Sequence, residues 1–145
     1  MPGAMRCPSA IVIQSIVWIM KTKIIVIEEV TMIRAFLCEM LNRNGYNAMG
    51  VKDGKRAIDI IRDNPGIHLI LTDYNMADVT GDDFLKNIRE TSLEAIPVIF
   101  LTAESDAEKI LQAKQAGLVS WVQKPYRIET LFEQVRLAVE STFII

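Results

Sequence analysis

Cysteine is scarce in this chain: Cys7 and Cys38 are its only two among 145 residues. They lie far apart and lack metal-ligand spacing, which excludes a disulfide framework and a zinc cluster. Cys38 falls on what reads as the apolar side of a helix, so a free, buried thiol in a reducing, cytoplasmic setting is expected. A strong charge bias is missing too. The formal net charge of −2 supplies no basic surface for nucleic acid. Long apolar runs are absent as well. Ala10 to Met20 is interrupted by Gln14 and Ser15 and is too short to span a bilayer. It has the length and basic flank (Arg6) of a signal h-region, but no small-x-small cleavage site follows. Residues 1–21 are therefore read as an apolar extension outside the fold, with Met20 as the functional start. A membrane-associating or partner-binding helix is the lesser alternative.

What is present is an ordinary globular composition. Half of the residues are hydrophobic and 23% are charged, which suits one domain with a sizeable core. From Lys23 the pattern alternates. Ile24 to Ile27 is a short apolar run, as expected of a strand buried on both faces. Met32, Ile33, Phe36, Leu37, Met40 and Leu41 then recur at helical spacing, and Asn44-Gly45 stops that helix. Tyr46 to Val51 reads as a weaker strand near an edge. Asp53-Gly54 opens a helix with Ala57, Ile58 and Ile61 inward, ended by Asn64-Pro65-Gly66.

The strand His68 to Thr72 follows, then Asp73, then a helix after Gly81 with Phe84, Leu85 and Ile88 on one side. Ile96 to Leu101 is a fourth strand ending in Thr102. Ala107, Ile110, Leu111 and Lys114 mark a fourth helix, ended by Gly117. Val119 to Val122 is a fifth strand ending in Lys124-Pro125. The last helix carries Ile128, Leu131, Phe132, Val135, Ala138 and Val139. No repeat or low-complexity tract interrupts the order. Such alternation predicts a doubly wound α/β fold, a parallel sheet with helices on both faces, over residues 22–141, with 142–145 as a tail.

In a parallel sheet the carboxyl ends of the strands share one edge, where ligands bind. Glu28-Glu29, Asp73, Thr102 and Lys124 end strands one, three, four and five, so they should converge. Crowded carboxylates repel unless a cation offsets them, and oxygen-only ligands suit Mg²⁺. Asp73 then reads as an ionised nucleophile for phosphoryl chemistry. Lys124 and the Thr102 hydroxyl would contact phosphoryl oxygens. Taken singly, each has a plainer explanation: Asp in a turn, a solvated acidic pair, a Lys-Pro turn.

These residues resemble the receiver domain of two-component response regulators, nearest to the single-domain chemotaxis type. The matched features are the acidic pair, Asp73 followed by Tyr-Asn-Met and Gly81, Thr102-Ala103-Glu104, and Lys124-Pro125. The resemblance implies a flavodoxin-like strand order 2-1-3-4-5. It implies that Asp73 accepts a phosphoryl group from a sensor histidine kinase or phosphotransfer protein. The chain would thus catalyse only its own phosphorylation and dephosphorylation. Glu29, Asp73 and the Asn75 carbonyl take the family's Mg²⁺ ligand positions, with Glu28 assisting through water. Thr102 and Trp121 occupy the switch positions, Trp121 turning inward, while Asn75 and Glu104 are expected to tune dephosphorylation. Output would pass to an unidentified downstream protein through the face of the fourth helix, fifth strand and fifth helix, which also leaves a dimer open. No nucleic acid or membrane partner is expected.

Two departures stand out. Most receivers carry Asp where this chain has Glu29, and one added methylene displaces the carboxylate from a metal that binds near about 2.1 Å. Ala77 replaces a common proline, which should leave its loop freer. A pseudo-receiver, an interaction module that does not phosphorylate productively, is therefore the alternative. An aspartate-nucleophile phosphohydrolase of the haloacid dehalogenase type needs a second Asp where Asn75 stands. A flavodoxin-like cofactor binder needs a glycine- and hydroxyl-rich loop after the first strand, and none is found.

Overall fold

Residues 22–64, 66–91, 96–103, 107–115 and 120–143 are described by a computed structural model of the chain. The expected extension 1–21 lies outside them, as do Glu104, Gly117 and Val119. Among the described residues five strands alternate with five helices: β1 (Lys23–Ile27), α1 (Thr31–Arg43), β2 (Asn47–Val51), α2 (Gly54–Asp63), β3 (Ile67–Asp73), α3 (Gly81–Thr91), β4 (Val98–Thr102), α4 (Ala107–Gln115), β5 (Ser120–Gln123) and α5 (Ile128–Phe143). The final helix continues to Phe143. The strands form one parallel sheet in the order β2-β1-β3-β4-β5. That is the expected order, with β2 at an edge.

Strand periodicity divides the core in two, because successive side chains point to opposite faces. Ile25, Ile27 and Ile70 join Ala57, Phe84, Leu85 and Ile88 beneath α2 and α3. Ile24, Val26, Leu69 and Leu71 join Leu37, Leu41, Leu131 and Val135 beneath α1 and α5. The centre of β3 is fully buried. Its continuous apolar run reflects packing on both faces. α2 starts where expected: the Asp53 side chain accepts a hydrogen bond from the Arg56 N–H, satisfying one free amide of the first turn.

Two helices bury other residues than their stripes suggest. In α1 only Leu37 and Leu41 are fully inside, whereas Met32 is 82% exposed and Ile33 and Phe36 are 42% and 51% exposed. The inward line runs through Arg34, Leu37, Cys38 and Leu41. Arg34 and Cys38 can lie over edge strand β2 because Gly50 presents no side chain there. A Cβ at Gly50 would sit 2.7 Å from the Arg34 Cγ and 3.1 Å from the Cys38 Sγ. Cys38 is a free thiol, half-buried rather than buried, and burial pushes its pKa up despite the nearby Arg34 charge. In α4, Ala113 is the buried residue while Leu111 is 56% exposed. A helix this short, packed along a narrow line, encloses a small side chain and leaves the larger one outside.

At the pole opposite the strand ends, the Lys23 N–H donates to His68 Nδ1 at 3.0 Å. Partial burial, and then the charge of Lys23, lower the His68 pKa. The folded state therefore binds this proton less readily than the unfolded chain. Stability is unaffected while both forms are neutral and falls as pH drops below about 6.5. Urea denaturation at pH 7.5 and 5.5 should show a shallower pH dependence in His68→Leu than in the parent. The α1 assignment gives a second test at pH 7.5. Met32→Gln should change stability by no more than about 0.5 kcal/mol, and Leu37→Ala should cost about 2–5 kcal/mol.

Candidate functional site

The loops after β1, β3 and β5 bring charge together at the carboxyl edge of the sheet. Asp73 is the last residue of β3, where the buried run delivers it to the rim. Its Oδ2 accepts a hydrogen bond from Lys124 Nζ at 2.6 Å, and its Oδ1 accepts one from the Asn75 N–H at 3.0 Å. The Asp73 and Lys124 side chains keep 18% and 34% of their surface, so the pair is partly shielded and still reachable. Burial alone would lower the Lys124 pKa. The hydrogen bond and charge of Asp73, with the charge of Glu28, outweigh it and hold the ammonium above its ordinary value. Lys124 is therefore a fixed cation at neutral pH.

Backbone bonds set the frame. The Lys124 N–H donates to the Thr102 carbonyl at 2.7 Å, and the Tyr74 N–H donates to the Leu101 carbonyl at 3.0 Å. Thr102 is fully buried at the end of β4. Glu28 is buried, and its Oε2 accepts from the Val30 N–H at 3.0 Å. Glu28, Asp73, Thr102 and Lys124 thus come together as expected.

Glu29 behaves differently. Its Oε1 accepts a hydrogen bond from the Ala77 N–H at 2.6 Å, joining the loop after β1 to the loop after β3. The set Glu28, Glu29, Asp73 and Asn75 suits Mg²⁺ by donor chemistry. As arranged, one member of the set is engaged elsewhere: Glu29 Oε1 is held by the Ala77 N–H, and among the described residues no three acidic, histidine or cysteine side chains converge on a common point. The same contact corrects the expectation for Ala77. Its loop is not looser but tied, at Ala77 to Glu29 and at Asp78, whose carboxylate accepts from the Gly54 and Lys55 N–H groups at 3.2 and 2.9 Å. Those bonds keep the Asp78 pKa below its usual value, against the effect of burial. Asn75 pairs with Thr80 in an isolated bridge.

Three residues near the site were given no role by the sequence reading. Tyr126 is half-buried beside Lys124, Glu28 and Asp73, and burial pushes its hydroxyl pKa up. The buried Thr72 hydroxyl donates to the Asp73 carbonyl at 3.0 Å. Tyr74 bridges the strand end to Trp121: its ring lies 5.2 Å from Phe100 and 5.3 Å from Trp121, and Phe100 and Trp121 meet edge-on at 5.9 Å. Trp121 is thus already packed inward. The Tyr74 hydroxyl donates to Asp82 at 2.7 Å. A signal for Tyr74 existed in Gly81, because a Cβ there would fall 2.3 Å from the Tyr74 ring.

That clash is testable. Gly81→Ala should destabilise the fold by about 1–3 kcal/mol through overpacking and shift tryptophan emission. In a Tyr74→Ala background the same substitution should cost far less, because the two sites share one contact. Chemical denaturation of the four proteins in that cycle provides the measurement.

Among known proteins, the family model described as "Response regulator receiver domain" matches residues 24–136. Chemotaxis protein CheY-3 of Vibrio cholerae is 32% identical over 115 residues, covering 78% of this chain and 88% of that protein. Two-component response regulator ORR7 of rice (Oryza sativa subsp. japonica) is 33% identical over 105 residues, or 72% of this chain. The match spans only 50% of the rice protein. The solved structure of the chemotaxis response regulator CheY4 of Vibrio cholerae superposes with a TM-score of 0.73 at 27% identity, covering 81% of this chain and 98% of that one. The non-phosphorylated HemR receiver domain of Leptospira biflexa shares the fold, with a TM-score of 0.75 at 23% identity over 82% of this chain and 94% of its own. On its sequence, its sheet order and its strand-end residues, the chain belongs to the response regulator receiver domain family.

Proposed function

We propose that residues 22–141 act as a phosphoacceptor receiver of a two-component relay, taking a phosphoryl group onto Asp73 from a histidine kinase or phosphotransfer protein. The observation that carries this is the Asp73 carboxylate, held at the carboxyl edge of the sheet by Lys124 Nζ at 2.6 Å and the Asn75 N–H at 3.0 Å. In the reaction a carboxylate oxygen of Asp73 forms a bond to phosphorus while the P–N bond of the donor phosphohistidine breaks. The electron pair leaves with the imidazole, which is protonated from water, and an acyl phosphate remains. Lys124 then pairs with a phosphoryl oxygen in place of the carboxylate, and the Thr102 hydroxyl donates to another. Receivers generally use Mg²⁺ for this step. Glu28, Glu29, Asp73 and the Asn75 carbonyl are the oxygens it would draw on here, once Glu29 leaves Ala77.

Signalling follows as a shift between two arrangements that the acyl phosphate biases. Movement of Thr102 toward the phosphoryl group changes the end of β4, against which Trp121 and Tyr74 pack. The face of α4, β5 and α5 carries that change to a downstream protein, and self-association of the chain would use the same face. The relay operates in the cytoplasm, where kinase and receiver meet. Among the described residues no helix is long and apolar enough to cross a membrane.

Incubating the full chain with MgCl₂ and a small phosphodonor such as acetyl phosphate should add one phosphoryl mass to the intact protein. Asp73→Asn should abolish the gain, and Lys124→Ala should leave phosphorylation in place while weakening its coupling to tryptophan emission. An unchanged parent mass, or a mass gain in Asp73→Asn, would refute the assignment.

A further inference from the structure

The two positions at which this chain departs from most receivers, Glu29 and Ala77, are hydrogen-bonded to each other. Their contact spans 48 positions of sequence at 2.6 Å. Only a residue with a backbone N–H can donate at position 77, and a proline there could not. Only a side chain of glutamate's reach, set on this backbone, delivers an oxygen to that N–H. The backbone at Glu29 has little freedom to compensate for a shorter one. The Arg34 guanidinium donates to the Glu28 carbonyl at 2.7 Å and to the Glu29 carbonyl at 3.3 Å. The Glu28 N–H donates to the Val51 carbonyl at 3.1 Å, and the Val30 N–H donates to Glu28 Oε2. On the other side, Asp78 holds the loop to the start of α2. Two anchored loops therefore face each other, and the Glu29 side chain closes the gap.

We propose that Glu29 and Ala77 form a metal-free latch: the charge-assisted bond between them joins the two loops in the role a cation would otherwise play, and Mg²⁺ must break it to bind. One oxygen of the Glu29 carboxylate that would face a hard cation, Oε1, is already held by a neutral amide. Mg²⁺ demands near-octahedral geometry and gives up water reluctantly, so it gains little from a ligand first drawn from another partner. The latch therefore makes the site stable without metal and raises the Mg²⁺ concentration at which Asp73 is served. This rests on reading the strand-end acids as the receiver's acidic site, and it makes the two departures one change rather than two.

The test uses the full-length chain as parent and as E29D, A77P and E29D/A77P, with MgCl₂ as the only added ligand. Thermal unfolding in EDTA reads the latch, and calorimetric Mg²⁺ titration reads its competition with metal. In EDTA, E29D should lower the Tm. A77P should lower it in the parent background but not in the E29D background, because the bond is already gone there. Each variant that folds should bind Mg²⁺ about tenfold more tightly than the parent, the ratio expected when one charge-assisted hydrogen bond no longer competes. If A77P fails to fold, E29Q, whose amide oxygen can still accept from the Ala77 N–H, should keep most of the Tm that E29D loses in EDTA, and a loss equal to that of E29D would overturn the latch. Parent binding as tight as that of E29D, or additive Tm losses in the double variant, would overturn the proposal. Neither readout needs a phosphodonor. Phosphorylation of the parent with no coupling between the two positions would sink the latch and keep the function; coupling without phosphorylation would do the reverse.

Discussion

Electrostatic crowding at the end of a parallel sheet is the constraint around which this molecule is arranged. Parallel pairing sends the carboxyl ends of β1, β3, β4 and β5 to one rim, and that rim receives Glu28, Asp73 and Lys124 within interacting distance. Anionic groups placed this close repel, so each must be answered by a donor. Lys124 and the Asn75 N–H answer Asp73, the Val30 N–H answers Glu28, and the Ala77 N–H answers Glu29. Much of the loop structure at this pole follows from that need. The turns are shaped as they are because their amides point at carboxylates.

A second layer ties this rim to the far side of the sheet. Tyr74 follows Asp73 directly, and its ring meets Phe100 of β4 and Trp121 of β5. Its hydroxyl is fixed on Asp82 of α3. Edge-on and tilted contacts of this kind are directional, so a displaced ring must displace its neighbours. The carboxylate and the indole are thereby connected through one side chain and two adjacent strands. Such a connection needs no long pathway.

Much of this was legible in the sequence, for identifiable reasons. Continuous apolar runs at Ile24–Ile27 and Ile96–Leu101 are short and strongly patterned, so strand identity and the chemistry at their ends could be read directly. The strand order came from family resemblance, since periodicity carries no information about neighbours. Helix faces were harder. The apolar positions of α1 form a broad stripe, and which side turns inward depends on β2, where Gly50 lets Arg34 and Cys38 settle. No reading of α1 alone contains that fact. In α4, a small alanine lies inside while Leu111 lies outside, the reverse of what hydrophobicity ranks. At the site, Asp73, Thr102 and Lys124 were visible through their place at strand ends. The partner of Glu29 was not. A side chain bonded to a backbone amide 48 positions away leaves no local pattern, and alanine gives no hint that its N–H matters.

Gly50 has one more implication. It lies on the edge strand, carries no reactive atom and is remote from Asp73 in sequence. Yet its missing side chain is the space through which Arg34 reaches the carbonyls of Glu28 and Glu29. Substitutions at positions 34 and 50 are consequently not independent. A side chain at 50 becomes tolerable only when the one at 34 shrinks, and a shrunken 34 releases the two carbonyls that it holds. Drift of the edge strand is thus coupled to the acidic loop, and the history of one position limits what the other can become.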